Sequence, residues 1–90
     1  MTAFEEEAYP TPYDKAAAIA ESIVRNHPFN DANHRTAVAA AHLVLGLSRN
    51  KLVASEDAQV DAIRNVENGT LRLEDFSAWL RANSVLRPPE

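Results

Sequence analysis

One short stretch gathers side chains that can act on a phosphate: His27-Pro28-Phe29-Asn30-Asp31-Ala32-Asn33-His34-Arg35-Thr36-Ala37. His27 titrates near neutrality and can take a proton from an incoming hydroxyl. Asp31 is a carboxylate able to hold a phosphate-bound magnesium ion, which prefers oxygen ligands. Asn33 and His34 fall where a helix is expected to begin. A helix start offers unpaired N–H groups and partial positive charge, hence a cradle for an anion. Arg35 adds a permanently charged fork for phosphate oxygens. Phe29 reads as the loop's anchor in the core. Base, metal ligand, amide donor and cation are thus expected side by side. Each also has a plainer reading: a turn histidine at His27, an N-cap at Asp31 (compatible with metal binding), and a surface arginine of a first turn at Arg35.

The flanking elements would have to position that stretch. From Pro12 to about Arg25, Ala16, Ile19, Ala20, Ile23 and Val24 form the stripe of an amphipathic helix. Thr11 is its expected N-cap, with Pro12 at the first helical position. Arg25 suits the dipole at the far end. Asn26 offers a left-handed stop and Pro28 forbids extension. A second helix is expected from near Asn33 to about Ser48. It is apolar nearly all round, the mark of a central, buried helix. Lys51-Leu52-Val53 reads as an extended connector. Ser55 is the expected cap of a third helix, ending before the turn Asn68-Gly69. A fourth spans roughly 73–83, with Leu73, Phe76, Trp79 and Leu80 on one face. Residues 1–11 and 84–90 read as tails of a single domain over 1–90. The expected fold is all-α, a small helical bundle around a central buried helix.

Composition narrows the function classes. The formal net charge is −4, and the 9 Lys and Arg are scattered, so no basic stripe awaits a nucleic-acid backbone. Cys is absent, which removes disulfides and thiolate metal sites. Met1 to Tyr9 is acidic and has no apolar core, unlike a signal peptide. The apolar run Ala37 to Leu47, broken by His42, is too short to span a bilayer. A cytoplasmic protein is the expectation, with no nucleic-acid or membrane partner.

On these residues the chain resembles the Fic/Doc family, in its Doc-type branch. The family motif reads H-P-F-x-[DE]-G-N-G-R in nucleotide-transferring members and H-x-F-x-D-[AG]-N-K-R-T-A in Doc-type ones. His27, Phe29, Asp31, Asn33, Arg35, Thr36 and Ala37 match the second form. Tyr9, Pro10, Lys15, Ala16 and Ala17 resemble the preceding Y-P-x-x-x-K-A-A pattern, and Gly69, Trp79 and Leu80 resemble features downstream. The resemblance covers about residues 9–83. It implies an enzyme that moves a phosphate-containing group from ATP, with Mg2+, to a protein hydroxyl. Doc-type members transfer the terminal phosphate to translation elongation factor Tu; most of the family transfers AMP. It further implies His27 as base, Asp31 as magnesium ligand, and Asn33, His34 and Arg35 as cofactor-binding residues.

Three departures qualify that pattern. His34 stands where AMP-transferring members have Gly and Doc-type members usually Lys. A side chain there obstructs the close nest that Gly permits, and a histidine is only partly charged at neutral pH. Activity is therefore expected to rise as pH falls from neutral, until His27 protonates. Val38 replaces a second Arg of the AMP-transferring motif and again points toward phosphate transfer. Finally, little chain precedes Tyr9, where the family has helices and a substrate-docking flap. Part of the second helix is then expected to lack a cover, to be supplied by a like subunit or a partner. A self-inhibitory [ST]-x-x-x-E-[GN] helix is not found, so restraint is expected from a separate antitoxin. The alternatives are AMP transfer, or a catalytically weak module that binds an antitoxin or self-associates. Elsewhere the plain readings are kept: His42 and Trp79 as core residues, Glu5-Glu6-Glu7 as solvated tail, and Lys15 as solvent-facing.

Overall fold

The computed structural model describes residues 10–26 and 31–88, and of Asp31 the backbone alone. Four helices follow in order: α1 (Pro12–Asn26), α2 (Asp31–Leu47), α3 (Glu56–Glu67) and α4 (Leu73–Ala82). Two short strands, β1 (Asn50–Leu52) and β2 (Ser84–Leu86), pair antiparallel with Lys51 opposite Val85. The fold is all-α with this one small ribbon, as the sequence pattern leads one to expect.

Helix α1 starts where its cap residues dictate. Asp14 N–H donates to Thr11 Oγ1 at 3.1 Å, and Thr11 N–H reaches back to Asp14 Oδ2 at 3.4 Å. This reciprocal box satisfies two donors that a helix start leaves unpaired. Ser55 does the same for α3, accepting from Ala58 N–H at 3.1 Å. Gly69, at φ 85°, closes the turn after α3 in a conformation that favours glycine.

Helix α1 packs most extensively on α2 and then on α4. Their shared core is small-residue rich: Ala16, Ala17, Ala20 and Val24 from α1 meet Ala37, Ala41 and Leu45 from α2. Ile63 and Val66 of α3 and Phe76 and Leu80 of α4 complete it. Trp79 packs against this core, its ring stacked on Phe76 with centroids 6.2 Å apart. Asp14 ties α1 to α4, accepting from Ser77 Oγ–H at 2.6 Å. That bond, reinforced by those to Thr11 and by the nearby Arg81 charge, holds its carboxyl below the usual aspartate range against the opposing effect of burial.

Four expectations need correction. Helix α2 opens at Asp31 rather than near Asn33. Its outer face is bare, in keeping with the expectation that part of this helix lacks a cover. Leu43 and Leu47 are 70% and 81% exposed, because α1, α3 and β1 cover one face only. Asn26 is still helical, and the positive-φ residue without a glycine's freedom, among those described, is Arg49 at φ 62° just beyond α2. The stretch read as a C-terminal tail supplies β2, whose neighbour Arg87 donates its N–H to Arg49 O at 2.7 Å. His42 is bonded but lies at an exposed position rather than in the core.

Candidate functional site

The first turn of α2 carries Ala32, Asn33 and His34, and Arg35 follows directly. In a helix the first N–H groups find no partner within the helix, so this end presents donors and partial positive charge. Asn33 is half-buried and Arg35 exposed. Thr36 is turned back on its own helix, its Oγ1–H bonding Ala32 O at 2.9 Å. His27 and the Asp31 side chain lie outside the described residues.

His34 sits differently from the phosphate-facing position expected of it. It is 5% exposed, and its Nε2 donates to Glu67 Oε1 at 2.8 Å. The ring thus faces α3. Glu67 went unnoticed as a site residue, although a sign was present: a carboxylate in the last turn of a helix opposes the helix dipole, so a partner is called for.

The α2–α3 seam is antiparallel. Moving along α2 from His34 to His42 corresponds to moving back along α3 from Glu67 to Gln59, about two turns on each helix. At this second rung His42 Nε2 donates to Gln59 Oε1 at 2.6 Å, and Gln59 Nε2 donates to Ala54 O at 2.7 Å. Between the rungs lie Val38 and Ile63, which border a common small void.

A cleft opens on the outer side of this seam. One part, of about 360 Å3, is lined by Arg35, Glu56, Asp57, Val60, Asp61 and Arg64. It continues into a more apolar part of about 570 Å3 that adds Val38, Ala39, His42 and Gln59. Such volumes suit a small molecule or a short peptide segment. Carboxylates outnumber guanidinium groups along the α3 bank. A bare polyanion is therefore disfavoured beside α3 and favoured at the amino end of α2, beside Asn33 and Arg35.

Among the described residues, no helix is long and apolar enough to cross a membrane.

Comparison with known proteins adds two positive findings. A family profile described as the Fic/DOC family matches residues 1–45. The chain is also 42% identical, over 67 residues, to Toxin Doc of Mycolicibacterium smegmatis (strain ATCC 700084 / mc(2)155). That alignment takes in 74% of this chain and 50% of the relative, so the chain spans about half the length of the curated protein it matches. No solved structure matches.

Proposed function

The chain belongs to the Fic/DOC family, and from that premise we propose that it is a toxin-like phosphotransferase of Doc type. Its reaction moves the terminal phosphate of ATP to a serine or threonine hydroxyl of a protein, with translation elongation factor Tu as the candidate target. The observation that carries this reading is the likeness to Toxin Doc, together with a motif whose Asn33 and Arg35 lie at the amino end of α2.

The residues fit an anionic cofactor. The amino end of a helix and an exposed guanidinium both favour phosphate oxygens, and the cleft beside Arg35 has room for more of a nucleotide. His27 takes the proton of the target hydroxyl. The hydroxyl oxygen then bonds to the terminal phosphorus as the bond from that phosphorus to the bridging oxygen breaks, and ADP departs. Asn33 and Arg35 hold the phosphates in line and stabilise the charge that spreads over the transferring group. Asp31 would hold magnesium, which screens the phosphate charges from one another. The reaction site is in the cytoplasm, where the target resides, and the partner that restrains such a toxin is an antitoxin.

Incubation with γ-labelled ATP, magnesium and elongation factor Tu tests this. A mass increase of one phosphate on the target, reduced about 10²–10⁴-fold in His27→Ala, is the expected result. An increase of one AMP moves the protein to the nucleotide-transferring branch. No increase at all removes the reading.

A second reading is favoured by the bare leucines of α2. Leu43 and Leu47 would suit a weakly catalytic module that joins an antitoxin or a second copy. Light scattering of the isolated chain decides this one, since a monomer at high concentration that gains no mass with an antitoxin is incompatible with it.

A further inference from the structure

We propose that Glu67 is a positioning residue of the phosphate site, acting through His34 to clamp the first turn of α2 in place. This deepens the functional reading above and rests on it for the identity of the ligand.

The geometry carries the argument. Glu67 ends α3 and His34 lies in the first turn of α2, so their 2.8 Å bond joins two elements far apart in sequence at the turn that bears Asn33 and leads into Arg35. Both side chains are largely withdrawn from water, at 7% and 15% exposure. A carboxylate at that point gains nothing from its own helix, whose dipole opposes it. It is held instead by the imidazole donor, and a hydrogen bond to a charged group withdrawn from water is stronger than one at the surface.

Glu67 is itself braced from behind. Asn68 caps α3 with its N–H on Arg64 O, and Leu71 N–H returns to Asn65 O at 2.9 Å. The clamp therefore pulls on a fixed point. A helix end otherwise frays, because its first residues have the fewest bonds. Here a side chain of the first turn is bolted to a neighbouring helix, so Asn33 and Arg35 meet a phosphate already in position rather than being ordered by it. Preorganisation of that kind raises affinity by removing an ordering cost. The His42–Gln59 bond at the other end of the seam also joins α2 to α3, but it lies about two turns from the site and serves as the internal control.

The test compares Glu67→Ala with Gln59→Ala in the full chain, by two independent measurements. Amide hydrogen exchange of the free protein at Arg35 and Thr36 should rise about tenfold in Glu67→Ala and less than about twofold in Gln59→Ala. Affinity for ATP with magnesium should fall about tenfold in Glu67→Ala. Glu67→Gln keeps an oxygen acceptor for His34 Nε2 and should restore most of both. If Glu67→Ala does not fold, His34→Phe keeps the ring and removes its donor, and carries the same comparison.

Unchanged exchange at Arg35 and Thr36, or equal loosening by the two variants, overturns the clamp. If the unmodified chain binds no ATP while Glu67→Ala still loosens the turn, the nucleotide reading fails and the clamp holds. If the unmodified chain and Glu67→Ala bind ATP equally, the clamp fails and the nucleotide reading survives.

Discussion

The two rungs of the α2–α3 seam use the same donor and differ in everything around it. At the amino end of α2, His34 is 5% exposed and bonds a carboxylate. Further along, His42 is exposed and bonds an amide oxygen. At the first rung water has little access, so loss of either partner removes a bond that water cannot readily replace. At the second, water can replace the histidine at small cost. A single type of contact thus serves as a fixed post at one end and as a surface tie at the other. The fixed post is the one beside the candidate phosphate site.

The largest perturbation should come from breaking both rungs at once. Ile63 lies between them and is 1% exposed. Ile63→Ala should cost about 2–5 kcal/mol, read by urea denaturation, with exchange rising at both ends of the seam. Next, His34→Ala should cost about 1–3 kcal/mol, by leaving the Glu67 carboxylate without its imidazole. His42→Ala should cost less than about 1 kcal/mol in the same assay, because its position is open to solvent. Equal costs for these two histidines would erase the distinction between the rungs.

A third polar tie sharpens the comparison through pH. Asp14, bonded first to Ser77, has its folded pKa lowered. A lowered carboxylate pKa contributes stability above the unfolded value of about 3.9. That contribution is lost as pH falls through the folded pKa. Ser77→Ala should therefore narrow the stability gap between pH 6 and pH 3, measured by urea titration at each pH. The smallest effect belongs to the bare face. Leu47→Ser should alter the stability of the isolated chain by no more than about 0.5 kcal/mol, and a larger loss in the same titration would mean that Leu47 is already covered.

Much of this arrangement is legible along the chain, for local reasons. Thr11, Pro12 and Asp14 announce the start of α1, and Ser55 that of α3, because a cap is satisfied within one turn. The core stripe of α1 follows from its periodicity. Helix α2 was harder, since a run such as Ala39-Ala40-Ala41 with Leu43 and Leu47 is apolar whichever face is covered. Periodicity reports which residues could be buried, not whether a neighbour arrives. Strand β2 was missed because Ser84-Val85-Leu86 is too short to show alternation and acquires its form from β1. At the site, Asn33 and Arg35 could be located near a helix's amino end from local signals alone. The turn of His34 toward α3 could not, because Glu67 lies 33 positions away.

The alanines between α1 and α2 have a further consequence. With Ala16, Ala17 and Ala20 facing Ala37 and Ala41, the two backbones have almost no side-chain padding between them, and this pair of helices brackets residues 27–30. A single bulkier methyl-bearing group there, such as Ala20→Val, has nowhere to go and must wedge the rods apart. Natural variation in this protein should therefore be scarcer along that thin seam than on the leucine-bearing outside of α2.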